Sequence, residues 1–279
     1  GLGGRLDAVN IIDADVTVIT AIGLDHQEWL GETLDAIAVE KCGIARRDVS
    51  CVVADVKAPD SVFRELIRRG AKPVVAGENY QYDARVYRSS RGVSIEWELA
   101  PGVLGINAGA ALAALDVLGV SLSSEIIATA MANLNLQGRR ERRQLRDIEV
   151  ILDVAHNPDA AVQLKEFLQA QPPAEHTVAV FAVMSDKDCH DMISALEGLI
   201  DFWCLPAGVG GPRGQAPSVL SKLISDESAV YTSFSSAWDS ALARVGARGR
   251  VVVFGSFFPV GEGLAALDNA AAAHLEVGL

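Results

Sequence analysis

The feature that most constrains this chain is its regular punctuation after residue 106. Short apolar runs rich in Val, Ile and Leu recur there, each closed by a turn and followed by a capped helical stretch. The pattern predicts strands over 149–154, 178–183, 202–205, 229–232 and 250–255. Helices are expected over 108–118, 123–134, 188–199, 217–224, 237–245 and 263–275. A further helix starts at Pro158, with Asn157 as its cap and Asp159 beside the positive end of its dipole. Strands and helices in this order imply a mainly parallel sheet with helices on both faces.

The first hundred residues read differently. A buried strand is expected at Val16–Ile22, a helix over 32–43, a strand over 51–54 and another over 73–76. Asp60 is placed as the N-cap of an intervening helix that Gly70 stops. Weak alternation through Val86, Val93, Ile95 and Trp97 points to antiparallel strands over 80–100. With so little helix, the parallel strands of this part are expected to leave a face or edge uncovered. The character changes around Pro101–Asn107, so the boundary is placed there: domains over 1–105 and 106–279, the second able to fold alone.

Charge narrows the function classes. Twenty-four basic and 36 acidic side chains give a net charge of −12, which argues against general binding to nucleic acid or an anionic membrane. Half the residues are hydrophobic but only 6% are aromatic, which suits helices packed on a sheet. No uninterrupted apolar run of about 18 residues occurs, so no transmembrane helix is expected. The chain has no secretory leader pattern at its start, and Cys42, Cys51, Cys189 and Cys204 are scattered without a CxxC pair. The expectation is a reduced, cytoplasmic protein without a zinc site or disulfide framework.

Ligands of open α/β sheets bind at the carboxyl ends of the strands. His26 follows the strand at 16–22, and His156 follows the strand at 149–154 within Asp153-Val-Ala-His-Asn-Pro158. A lone histidine at such a place is more often structural than a ligand. The second segment is stronger, because a strand running into a Pro-started helix aims free amides at an anion. Lys41 closes the first helix, where a surface lysine is the bland alternative. Gln137–Arg143 is a basic run in an acidic chain; a solvated surface explains most of it, and one arginine after Gly138 could fork onto a phosphate. The loops Met184–Asp188 and Gly210–Gly214, and Gly255-Ser256-Phe257, follow later strands and are weak signals singly. No GxxxxGK[ST] loop is present, and no GxGxxG opens a helix, which disfavours a dehydrogenase.

In order along the chain, GLGGRLDAVN (1–10), GLDH (23–26), EKCGI (40–44), INA (106–108), QGRRE (137–141), DVAHNP (153–158), MSDKD (184–188), GPRG (211–214) and GSF (255–257) resemble the bacterial folylpolyglutamate synthase/dihydrofolate synthase family of the Mur ligase superfamily. The resemblance implies the fold: a remnant of a P-loop-type ATPase domain in 1–105, then a complete Rossmann-like glutamate-binding α/β domain in 106–279. It implies an ADP-forming ligase that phosphorylates the carboxylate of dihydropteroate or of a folate glutamyl tail. The amino group of L-glutamate then displaces phosphate. By the same resemblance His26 matches a magnesium ligand, and Lys41 a catalytic lysine whose carbamate also ligates magnesium. Asn107, Arg139 and Asp153 match contacts to ATP. His156 matches a catalytic and substrate-positioning histidine, while Lys187, Arg213 and Ser256 match the glutamate side.

Two departures are visible: EKCGI stands where the family has EKAGI, and GVLGI precedes Asn107. The family's phosphate loop, its folate-binding loop and a magnesium-binding glutamate are not among these residues, so the 279 residues are expected to be incomplete and inactive alone. A monomer is expected. Competing readings are a Mur-type peptidoglycan-precursor or cyanophycin-type ligase, disfavoured by the GRLDAVN opening, and a non-catalytic nucleotide-binding scaffold.

Overall fold

The computed structural model describes residues 3–24 and 27–276 of the chain. It divides into two compact units, 1–135 and 136–279. The expected boundary at 105/106 is therefore too early.

The N-terminal unit is built on a three-stranded parallel sheet in the order β1 (Val16–Ile19), β2 (Ser50–Val53), β3 (Lys72–Val75). Val16 lies opposite Ser50, and Ser50 opposite Lys72. Side chains alternate faces along a strand, so β2 feeds two cores. The short helix α1 (Gln27–Leu30) precedes α2 (Leu34–Lys41); Cys51 and Val53 face α2 and α3 (Asp60–Arg69), together with Ile19, Ala38, Val62 and Leu66. Val52 and Ala54 face the other way, with Tyr80, Tyr87, Ile95 and Leu112. That second core is closed by an antiparallel hairpin sheet, β4 (Tyr80–Tyr82), β5 (Val86–Ser89) and β6 (Ser94–Glu96), and by α4 (Gly105–Val117).

The expectation of an uncovered face or edge is met at the edges and not on the faces. Among the described residues both faces of the parallel sheet are covered, while β1 and β3, each paired with β2 alone, leave their outer edges open. The cover comes from α4. Its sequence, Ala-rich throughout, reads as readily into the following unit as into the preceding one. Its buried residues Ala108, Leu112 and Ala113 join the Tyr80–Tyr87 core. At Gly109 a Cβ would lie 2.6 Å from the Tyr82 ring, so the absence of a side chain lets the hairpin pack directly on the helix. The helix α5 (Ser124–Asn133) follows, capped by the Ser123 hydroxyl, which accepts from the amide of Ile126. Asp60 does not cap α3: Pro59 occupies the N-cap and Asp60 is the first helical residue, where its charge still meets the positive end of the dipole. Gly70 ends that helix in the left-handed region at φ 70°, as expected.

The C-terminal unit holds a six-stranded sheet. With β7 (Glu141–Leu145), β8 (Ile148–Asp153), β9 (Thr177–Phe181), β10 (Phe202–Pro206), β11 (Ser228–Tyr231) and β12 (Arg250–Phe254), the order is β11-β10-β9-β12-β8-β7. Five strands are parallel and β7 pairs antiparallel with β8. The strand β7 was not expected. Its residues, ERRQL, carry no apolar alternation because it is an edge strand, and Arg142 answers Glu149 on β8 across 2.7 Å.

One face of this sheet packs Ile151, Phe181, Trp203 and Phe254 beneath α6 (Pro158–Gln169), α7 (Cys189–Leu196) and α8 (Pro217–Leu223). The other packs Leu152, Val180 and Val253 beneath α9 (Phe234–Val245) and α10 (Phe257–Glu276). The last helix begins six residues before its expected start at 263, because Gly261 and Gly263 read as breakers. Gly263 is instead a packing residue: a Cβ there would meet Leu152 at 3.0 Å. All four cysteines are free and buried. Among the described residues no helix is long and apolar enough to cross a membrane.

The revised boundary gives a direct test. Expressed alone, residues 136–279 should melt cooperatively by circular dichroism. Residues 106–279 should carry the apolar face of α4 into solvent and aggregate or be trimmed. A protease-stable product beginning near residue 105 would contradict the assignment of α4.

Candidate functional site

The expected residues fall in two sets, one in each unit. In the N-terminal unit the opening GLGGRLDAVN segment lies directly on the end of α2. A Cβ on Gly4, whose φ is 74°, would come within 2.2 Å of the Glu40 carbonyl oxygen, so only glycine allows this approach. Arg5 Nε pairs with Glu40 Oε2 at 2.9 Å. The Asn10 amide reaches the Gly43 carbonyl at 3.4 Å. Arg46 then ties the segments together: its guanidinium donates to Asn10 O at 2.9 Å, Asn10 Oδ1 at 3.0 Å, Ile44 O at 3.0 Å and Gly43 O at 3.2 Å, and also pairs with Asp13.

This clamp fixes Lys41, the last residue of α2, half-buried. Its Nζ would lie 3.3 Å from a Cβ at Gly3. The bare glycine therefore lets the amine come this close. Asp7 accepts from the amides of Gly3 at 2.8 Å and Val9 at 3.1 Å. The Val9 and Gly3 amides hold its carboxyl below the usual carboxylate range, and the Lys41 charge adds in the same direction. His26, the other expected metal ligand, lies outside the described residues. Asn107 is exposed in the first turn of α4 and belongs to this unit, not to the C-terminal one as expected.

The second set gathers at the carboxyl ends of the parallel strands of the C-terminal unit. Asp153 ends β8 with only 7% exposure. Its Oδ1 accepts from the Ala155 amide at 2.7 Å and its Oδ2 from the Arg140 amide at 3.0 Å. Burial pushes its pKa up, opposed by those two amides and by the Arg139 and Arg140 charges. The turn it receives has left-handed backbone at both Gly138 (φ 65°) and Arg140 (φ 49°). A Cβ on Gly138 would meet Val260 at 2.6 Å, so the turn sits tight on α10.

Arg139 is exposed beside this turn, its guanidinium carbon 5.8 Å from the centre of the Phe257 ring. His156 is half-buried, and its Nδ1 lies 2.9 Å from the Val154 carbonyl. A carbonyl only accepts, so Nδ1 carries the proton of this contact. Asn157 accepts from Ala160 N at 2.9 Å, capping α6 as expected.

The later loops are tied to one another. The Ser185 amide donates to Arg213 O at 2.9 Å, and Met184 bridges Gly214. The structure thus brings the loops of Lys187 and Arg213 together. The Lys187 side chain is largely buried, 3.5 Å from Asp186 Oδ2, while Arg213 is exposed. Ser256 is buried, and its Oγ donates to Ala182 O at 3.4 Å, bracing β12 against the end of β9.

In the basic run, Arg142 and Arg143 are consumed by Glu149 and Glu141, each at 2.7 Å, which is the solvated surface expected of them. Arg140 was not singled out by sequence. It donates to Gln163 at 3.3 Å and lies over the Phe167 ring at 5.7 Å.

Two other features contain no expected site residue. A cavity of 610 Å³ beside the hairpin sheet is lined by Arg85, Glu96, Trp97 and Glu98, none of them an expected site residue. The exposed trio Asp188, His190 and Asp191 is accounted for by capping, since Asp188 accepts from the Asp191 amide at 3.1 Å.

Residues 138–257, which hold the whole second set, match the family described as Mur ligase, glutamate ligase domain. These residues form a Mur ligase glutamate ligase domain. It is 36% identical over 274 residues to the dihydrofolate synthase/folylpolyglutamate synthase of Escherichia coli K12, covering 96% of this chain and 64% of that protein. The solved structure of Escherichia coli FolC in complex with DHPP and ADP matches with a TM-score of 0.90 and 34% identity, over 96% of this chain and 65% of that one. The bifunctional folylpolyglutamate synthase/dihydrofolate synthase of Yersinia pestis complexed with AMPPNP and Mn ion matches with a TM-score of 0.86 and 31% identity, over 96% and 65%. The chain thus spans a little under two thirds of the length of these relatives.

Removing the Asp153 carboxylate should expose what it holds. Asp153→Ala leaves the amides of Arg140 and Ala155 without an acceptor, at a cost of about 1–3 kcal/mol. Asp153→Asn keeps one acceptor and removes the buried charge, so it should cost less. Urea unfolding midpoints decide it; equal losses in both variants would contradict the bonding described.

Proposed function

We propose that this chain is part of an ADP-forming amide ligase that adds L-glutamate to dihydropteroate or to the glutamyl tail of a folate. What carries this reading is the placement of Arg139 and the capped start of α6 at the carboxyl end of β8, within residues that match a glutamate ligase domain. The names of the relatives, and the ADP, AMPPNP and manganese held in their solved structures, point the same way.

The chemistry follows from the poor electrophilicity of a carboxylate. Transfer of the γ-phosphoryl group of ATP to the carboxylate oxygen makes an acyl phosphate and ADP. The glutamate amine then attacks the carbonyl carbon, the C–O bond to phosphate breaks, and the amine loses a proton. Charge on the phosphates of the nucleotide demands cations. Arg139 supplies a forked one, and Asp153 sets its turn beside the ribose and phosphates of ATP. Asn107 contacts the adenine side. His156 positions the attacking amine, while Lys187, Arg213 and the braced Ser256 shape the pocket for glutamate.

For the divalent cation we assign a carbamate on Lys41, whose Nζ approaches Gly3 so closely that a Cβ there would lie 3.3 Å away. The carbamate oxygens and His26 would hold magnesium, which when bound neutralises charge on the phosphates. We place the ligase in the cytoplasm as a monomer, without a nucleic-acid or membrane partner.

The 279 residues contain no GxxxxGK[ST] loop, so the ligase activity is assigned to these residues joined to the portion the relatives have in addition. The test is ADP release that requires both glutamate and dihydropteroate, on these residues fused to the portion of the Escherichia coli relative outside the match. The 279 residues alone should show none. In the fusion, Lys41→Ala should lower turnover by at least the 10–100-fold that even an outer partner of a metal site costs. Lys41→Arg should not restore it, and bicarbonate should raise the activity of CO2-stripped enzyme. Full activity of Lys41→Arg would return Lys41 to an ordinary helix-end lysine.

A further inference from the structure

Four arginines follow Gly138 within six residues, and they are treated in two ways. Arg142 and Arg143 are neutralised by Glu149 and Glu141. Arg139 and Arg140 are laid on aromatic rings, Phe257 at 5.8 Å and Phe167 at 5.7 Å. Among the described residues Arg139 forms no ion pair with a carboxylate. The difference is chemical: an ion pair uses the N–H edge of a guanidinium, whereas a ring takes its face and leaves the planar fork of donors available.

Phe257 has no comparable structural reason to be where it is. It opens α10 directly after the buried Ser256, yet two thirds of its surface, 66%, is exposed. It belongs to neither core of the C-terminal unit. Its ring contact is the Arg139 guanidinium. The turn beneath Arg139 is itself rigid, held by the Asp153 carboxylate and pressed on Val260 of the same helix. A long side chain on a fixed base still has freedom in its own torsions, and a flat ring beside it removes part of that freedom before a ligand arrives.

We propose that Phe257 is a positioning residue for Arg139: its ring holds the guanidinium flat so that the donor fork faces the phosphates of a nucleotide at the carboxyl end of β8. The proposal rests on the nucleotide role assigned to Arg139 above. It treats Phe257 as acting through the arginine, not as a surface on which the base stacks.

The experiment has a ligand-free and a ligand-bound arm, both on the 279-residue chain. In the absence of ligand, the Arg139 side-chain Nε–H resonance should carry a ring-current shift that disappears in Phe257→Leu and persists in Phe257→Trp. With ADP as the probe, calorimetry should show about two- to fivefold weaker binding in Phe257→Leu, the scale of an exposed cation–ring contact, and near-normal binding in Phe257→Trp. In an Arg139→Ala background, Phe257→Leu should change nothing further.

A Phe257→Leu effect that persists without Arg139 would overturn the proposal in favour of direct stacking on the base. So would a leucine variant that binds like the unsubstituted chain, or a tryptophan variant that fails to rescue. Failure of the unsubstituted chain to bind ADP, with the ring-current shift present, would sink the nucleotide reading and the positioning role together. Intact binding with no ring-current shift would sink the positioning role alone.

Discussion

The buried carboxylate at the end of β8 is the constraint on which the C-terminal site depends. Asp153 sits at the point where five parallel strands end and the chain must turn into α6. Its two oxygens take amides from opposite directions, Ala155 ahead of it and Arg140 thirteen residues behind. One side chain thereby fixes the turn that carries Arg139 and the strand end that leads to His156. The cost of burying it is visible in its raised pKa, and the amides and the two arginine charges offset that cost. Remote placement of cations is then turned into a local geometry.

The N-terminal set is organised by close backbone approach and not by a buried charge. Gly4 lies on the carbonyl of Glu40, and the Arg46 guanidinium gathers carbonyls from both segments. Lys41 is held by what surrounds its backbone, which brings its amine close against Gly3. The two sets therefore use different physics for the same end, a cationic group whose base cannot move.

Much of this was legible in the chain. The strands at 16–19, 50–53, 177–181 and 250–254 follow from short β-branched runs, that at 202–206 from a short apolar one, and the start of α6 from Asn157-Pro158. Those signals are local. What stayed hidden depends on pairs distant in sequence. The α4 helix carries no mark of which sheet it serves, because Ala108, Leu112 and Ala113 suit either neighbour until Tyr82 is seen against Gly109. The edge strand β7 has charged residues on both faces and shows no period. The Arg46–Asn10 clamp spans 36 residues, and the Phe257–Arg139 contact joins the two ends of the C-terminal unit. Ser256 was legible as a residue at a strand end, but its burial against Ala182 was not.

The most direct test of this account is a crystal structure of the chain with ADP. The account predicts phosphate oxygens on the Arg139 fork beside the turn at 138–140, with Asp153 still accepting from the amides of Ala155 and Arg140. ADP bound elsewhere in the chain, or an Asp153 carboxylate swung off those amides, would contradict it.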